Sequence, residues 1–154
     1  MLPLKRDDKY RQGFFKPKNA KKYVGKNMPV YRSGWELKFF RWCDDNPNIL
    51  EWASESVIIP YISKADGKVH RYYTDGIIAL KENDKIVKYI IEIKPSSQTK
   101  TPVSGNKRRS TINYENYRYL QNISKWEAAK QWCEQRGYKF LILTEKELGI
   151  SKRS

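Results

Sequence analysis

Histidine and cysteine are nearly missing from this chain, which has one His (His70) and two Cys (Cys43 and Cys133) in 154 residues. A single imidazole excludes an all-histidine metal centre. Two cysteines far apart in sequence make neither a zinc site nor a disulfide framework. Both fall inside predicted helices and read as small buried apolar groups in a reducing compartment. Acidic residues are scarce against basic ones, 17 Asp and Glu to 31 Lys and Arg, for a formal net charge of +14. That balance points to a polyanionic partner, nucleic acid before an anionic membrane. Long apolar runs are lacking too. No stretch approaches the length that spans a bilayer, and the N-terminal segment carries no signal-like apolar region. The expectation is a soluble intracellular protein with no membrane association. Internal repeats are not visible.

Aromatic residues, by contrast, are plentiful, with 5 Trp and 11 Tyr. A chain of this length and composition buries a real core as one domain. The reading is a basic arm over residues 1–30, a single domain over residues 31–150 and a short tail at 151–154.

The most informative stretch runs from Tyr72 to Lys94. Two segments rich in Ile, Val and Tyr flank a polar turn, which is a hairpin signal. A turn centred on Asn83 and Asp84 sets Asp75 opposite Glu92. Directly opposed side chains lie about 5 Å apart at Cβ, where like charges destabilise a sheet. Alternation puts Lys94 on the face of Glu92, and puts Val87, Tyr89, Ile91 and Ile93 on the other face as core. A carboxylate pair that repels itself suggests a missing cation, and hard oxygen ligands of this kind suit Mg²⁺. The plainer reading is a solvated Asp and Glu with Lys94 as counter-charge.

The N-terminal 30 residues hold nine Lys or Arg and two Asp. Their composition fits equally an arm draped over the domain or over phosphates and a solvated tail. Ser33 and Glu36 form a capping box that opens a helix running to about Asp44. Glu36 shares the stripe of Phe39, Phe40 and Cys43. It either caps the helix or points toward the hairpin carboxylates, and spacing alone favours the cap. Ile49 to Ile62 reads as a strand, on which Glu55 is a possible second-tier acid that strand starts more often leave exposed. A tight turn follows at Ala65 to Lys68, then strands Val69 to Leu80 and Ile86 to Lys94, making an antiparallel meander. Pro95 to Thr111 is a basic loop whose charge favours a phosphate-contacting flap. Asn113 to Asn122 reads as a weak helix. Ser124 and Glu127 form a second capping box, opening a helix through Arg136 that Gly137 ends. Tyr138 to Leu143 is a strand, and Thr144 starts a last short helix. A strand reached through a crossover helix can lie parallel to a neighbour, so the fold class is α/β (α+β), a mixed sheet flanked by helices.

Asp75, a gap of 16 residues and then Glu92-Ile93-Lys94 resemble the motif of the PD-(D/E)XK nucleases. A helical Glu36 ahead of the first strand and the order αβββαβ resemble that fold's core. The words Tyr31-Arg-Ser-Gly-Trp-Glu36, Ser54-Glu-Ser-Val-Ile-Ile-Pro60, Tyr72-Tyr-Thr-Asp75 and Ile91-Glu-Ile-Lys-Pro95 resemble the head completion nucleases of tailed phages. More distantly they resemble the endonuclease subunit of heteromeric transposases. Thr74 stands where the family name has Pro. The resemblance implies a restriction-endonuclease-like core and a Mg²⁺-dependent DNA endonuclease, with Mn²⁺ able to substitute. It implies that Asp75 and Glu92 hold the metal with the carbonyl of Ile93, that Lys94 orients the attacking water and neutralises the phosphorane, and that Glu36 completes the metal sphere directly or through water.

Double-stranded DNA is the implied substrate. Lys21, Lys22, Lys26 and Arg32 toward the N-terminus, with Lys100, Lys107, Arg108 and Arg109 of the loop, are the candidate DNA contacts. Under the phage resemblance the setting is virion assembly in the host cytoplasm or the virion itself, beside portal, neck or tail proteins. Two other classes compete: a non-catalytic DNA-end-binding capsid assembly protein, and an RNA-binding module, which ranks last because no RNA-recognition motif is visible.

Overall fold

The computed structural model describes residues 12–55 and 57–150. The expected tail at 151–154, the start of the basic arm and Ser56 of the second sequence word lie outside the described residues.

The chain begins with a short ribbon in which β1 (Gly13–Phe14) pairs antiparallel with β2 (Val30–Tyr31). Residues 12–30 are draped over the domain. Phe15 packs on Phe40 and Trp52, and Tyr23 forms a bridge to Trp52. The buried Asp44 carboxylate accepts from the amides of Lys18 and Asn19 at 2.9 and 3.0 Å. Lys22 donates to the carbonyls of Asp44 and Asn46 at 3.0 and 2.8 Å, so a cation closes the C-terminus of the following helix.

That helix is α1 (Gly34–Asp45), opened by Ser33, whose hydroxyl accepts from the Glu36 amide at 3.1 Å. Its apolar face carries Phe39, Phe40 and Cys43 into a core with Ile49, Trp52, Ile78, Ile91, Leu143 and Leu148. Losing an aromatic of this kind costs about 3–5 kcal/mol.

The sheet has four strands. β3 (Ile49–Ser54) continues past a break into β4 (Ile58–Ile62), which turns into β5 (Val69–Tyr73). β6 (Gly76–Glu82) and β7 (Lys85–Ile93) form the hairpin. α2 (Arg109–Arg136) crosses over to β8 (Lys139–Leu143), and α3 (Glu145–Leu148) ends the described chain. Strand order is β3-β6-β7-β8, with β8 parallel to β7 and the other pairs antiparallel. This is the mixed sheet of a restriction-endonuclease-like core, in the order αβββαβ once the bent strands are counted as single strands.

The two long strands expected at 49–62 and 69–80 are each broken in two. The break falls at Glu55, in the left-handed region at φ +47°, and opposite it at Thr74 and Asp75. Beyond it, β4 and β5 leave the sheet as a separate two-stranded ribbon packed on α2 through Ile59, Tyr61, Tyr72 and Ala129. Thr74 clamps the bend: its hydroxyl and its amide both donate to the Val57 carbonyl, at 2.9 and 3.2 Å. A proline there would lack the amide.

The second helical expectation also needs correction. Ser124 does not cap a helix, because α2 runs unbroken for 28 residues and absorbs the separate segments expected at 113–122 and 124–136. The Ser124 hydroxyl donates to the Leu120 carbonyl at 2.8 Å and accepts from the Lys64 amide at 2.9 Å. A Ser that bonds back one turn satisfies its local preference inside a helix. The helix also begins at Arg109, inside the stretch expected to be loop, and Gly137 at φ +71° ends it as expected.

Candidate active site

The hairpin register is the expected one. Gly76 pairs with Ile91 and Glu82 with Lys85 around Asn83 and Asp84. Those two turn residues have φ +47° and +65°, the signature of a two-residue primed turn whose twist matches the strands. Asp75 lies one residue beyond the paired stretch, at the bend. Its amide donates to the Ile91 carbonyl at 3.0 Å, and its Oδ2 accepts from the Ile93 amide at 2.7 Å. The bend therefore aims Asp75 across the end of β7.

Glu92 is 5% exposed. Its charge acts on the neighbouring Asp75 carboxyl. Its Oε2 accepts from the Tyr72 hydroxyl, and its Oε1 lies 3.5 Å from Lys94 Nζ. Lys94 is held at both ends of its backbone. Its amide donates to the Leu143 carbonyl at 3.0 Å, extending the parallel β7–β8 ladder. Two residues on, the Ser96 amide donates to buried Glu145 at 3.0 Å, and the Ser96 hydroxyl bonds the same carboxylate. Two carboxyls and an ammonium from two strand ends thus converge.

The electrostatics fit an incomplete charge set. Burial, and then the Glu92 charge, push the Asp75 carboxyl well above its usual range, while the Ile93 amide offsets part of this. Glu36 adds to the rise. The Glu36 carboxyl is itself raised by burial and by the Glu55 charge, against the lowering pull of Arg32 and Ser33. Ser33 is the cap of α1, and the Glu36 carboxylate accepts from the Ser33 hydroxyl at 3.3 Å instead of completing the expected capping box, while its charge acts on Asp75. Among the described residues no three His, Cys, Asp or Glu come together as a metal-holding group. Glu36 stands in electrostatic reach of Asp75 rather than in a three-carboxylate cluster. The donor set is then two carboxylates, which suits Mg²⁺, an ion that keeps several waters and takes one or two protein carboxylates plus substrate phosphate.

Two site residues were not singled out from the sequence. Tyr72 and its neighbour Tyr73 are both strand tyrosines. Only Tyr72 is buried, and burial and Glu92 raise its phenol so that it stays protonated and donates. Lys125 reaches in from α2, 5.6 Å over the Tyr72 ring. Burial lowers its ionisation, Glu92 and Asp75 favour its charge, and Lys94 and Arg118 oppose it. No local pattern could have found Lys125, because its place depends on how α2 packs.

The candidate DNA contacts divide. Lys21, Lys26, Lys100 and Arg109 are exposed. Arg108, at the N-cap of α2, is exposed too and its side chain makes no cap bond, whereas Arg32 pairs with Glu55, Lys107 pairs with Glu115 at 2.8 Å and Lys22 is committed to the end of α1. Glu55 is therefore an exposed partner of Arg32 rather than a second-tier acid at the pair.

Comparison with known proteins agrees with this geometry. Residues 46–145 match the family described as TnsA-like endonuclease N terminal. The chain is 41% identical over 138 residues to the head completion nuclease of Enterobacteria phage T4, covering 86% of this chain and 90% of that protein.

Proposed function

The chain belongs to the TnsA-like endonuclease N-terminal family, and on that basis we propose a Mg²⁺-dependent deoxyribonuclease that hydrolyses internal phosphodiester bonds. The observation that supports it most is the convergence of Asp75, Glu92 and Lys94 at the bend, where the Glu92 charge acts on buried Asp75 and Lys94 lies 3.5 Å from Glu92.

Asp75 and Glu92 would hold the ion, with the Ile93 carbonyl as a further oxygen and Mn²⁺ as a substitute. A bound divalent ion supplies Lewis acidity at the phosphate and a water of lowered pKa. The chain's own residues do the rest. Tyr72 fixes the Glu92 carboxylate through one oxygen and leaves the other toward Lys94. Lys94, at the rim of the pair, orients the attacking water and places positive charge where the phosphorane oxygens develop theirs. The water oxygen bonds phosphorus as the water gives up a proton to solvent, the bridging P–O bond breaks, and the departing oxygen takes a proton back from solvent. An ammonium suits this position because it does not compete for the metal.

The T4 relative is named a head completion nuclease. By that likeness the substrate is the end of packaged phage DNA, trimmed so that the head can be joined to its portal, neck or tail partners, in the host cytoplasm or the virion. The test is cleavage of linear and supercoiled DNA in Mg²⁺, Mn²⁺ or EDTA by wild type and Lys94→Ala. Wild type cleaves only with metal, and Lys94→Ala cleaves about 10²-fold more slowly or worse with its fold intact. Full activity in the variant would remove the reading. Salt-sensitive binding without cleavage in any metal would leave a DNA-end-binding assembly protein.

A further inference from the structure

Residues 97–107 and the first half of α2, the helix that carries Lys125, enclose a cleft of about 430 Å³, a size that admits a small ligand. Tyr114 and Tyr119 line it, and Lys100 and Arg118 bring positive charge. Tyr114 is 64% exposed, a large aromatic face turned to solvent on a basic surface. Tyr119 is held from behind, with its hydroxyl 3.4 Å from that of Thr101. The acid in the lining, Glu115, is offset by Lys107 at 2.8 Å. Asn122, in the lining, is one helical turn from Lys125, and Lys125 stands over the Tyr72 ring whose hydroxyl holds Glu92. Cations and aromatic rings therefore run from the cleft to the catalytic carboxylates.

We propose that this cleft binds an unpaired DNA strand next to the cleavage site, with Tyr114 and Tyr119 stacking on bases while Lys100 and Arg118 follow the phosphates. In a duplex the faces of the bases are occupied by their neighbours, so only an unpaired strand offers them to tyrosine. Alternating aromatic and basic groups are how sequence-tolerant single-strand sites are built. The substrate class is then DNA whose duplex gives way to a single strand, such as a frayed or extended end. This deepens the nuclease reading and rests on it for its biological meaning.

The experiment is fluorescence anisotropy of the full chain in EDTA, with a labelled blunt duplex and the same duplex bearing a short single-stranded extension. Wild type binds the extended DNA about tenfold more tightly. Tyr114→Ala with Tyr119→Ala loses about that factor on the extended DNA and little on the blunt one, the effect of removing a stacked base. Tyr114→Ala alone, at an exposed position, shows the same direction with an unchanged melting temperature. Equal wild-type affinity for both DNAs, or equal loss on both in the variants, would overturn the cleft. Binding in EDTA is independent of chemistry. Strand-selective binding without cleavage in Mg²⁺ supports the cleft while ending the nuclease reading, and cleavage without strand selectivity ends the cleft alone.

Discussion

At the scale of single residues, the site is a pair of acids made uncomfortable and then steadied. Asp75 is destabilised as an anion by burial and by Glu92, and Glu92 is held by Tyr72. Under the proposed function Tyr72 is a positioning residue: its phenol holds one carboxylate oxygen, and the other, beside Lys94, would stay free for the ion. Partners of this kind typically change metal affinity by 10- to 100-fold. Tyr72→Phe keeps the ring in its packing with Ile59 and Ala129 and removes only the hydroxyl. We expect the Mg²⁺ concentration for half-maximal cleavage to rise about tenfold, with the rate recovering at high Mg²⁺. A purely structural tyrosine would instead lower the rate at every Mg²⁺ concentration. Of these residues, Asp75, Glu92 and Lys94 were legible because strand alternation and a two-residue turn fix who faces whom. Tyr72 could not be told from Tyr73 without the bend, and Lys125 sits on an element whose docking no short pattern encodes.

At the scale of elements, the bend between the sheet and the β4–β5 ribbon does the placing. Glu55 in the left-handed region, Thr74 bonded twice to Val57 and Gly76 just after Asp75 all lie within it. Sites that hold unfavourable backbone conformations are often functional ones. Gly76 is required by packing: a Cβ there would sit 2.8 Å from the Phe39 ring and 3.1 Å from the Ala53 carbonyl. Gly76→Ala should destabilise the fold by about 1–3 kcal/mol in chemical denaturation, and should slow cleavage further than stability alone accounts for, because relief of the clash displaces Asp75. Wild-type stability and rate would show that the hairpin tolerates the shift. The bend escaped the sequence because the Ile- and Tyr-rich runs on either side read as continuous strands. The continuous α2 escaped for the opposite reason. Ser124 followed by Glu127 looks like a helix start, yet its hydroxyl is used by Leu120 and by Lys64 of a distant turn. Capping signals are local, and here a tertiary partner decides.

At the scale of the whole molecule, two packing clusters flank the sheet and leave the carboxylate pair where they meet. One cluster joins α1, the sheet and α3; the other joins the β4–β5 ribbon to α2. Residues 12–30, basic and poor in apolar periodicity, help bury the first through Phe15 and Tyr23. The overall charge of +14 suits a polyanionic partner but does not choose a site. The proposed chemistry depends on a cation joining the carboxylate pair, and thermal unfolding of wild type and Asp75→Asn in EDTA and in Mg²⁺, with cleavage followed in parallel, tests that most directly. The folded-state pKa of Asp75 is raised, so the folded protein holds a proton that the unfolded chain has lost. Wild-type stability therefore falls as pH climbs above the ordinary carboxylate range, whereas Asn has no such loss. The account predicts that, in EDTA, Asp75→Asn melts higher than wild type by a margin that grows with pH. It predicts that Mg²⁺ raises the melting temperature of wild type but not of the variant, and that only wild type cleaves. A variant that cleaves normally, or that melts lower than wild type at every pH while Mg²⁺ stabilises both alike, would contradict it.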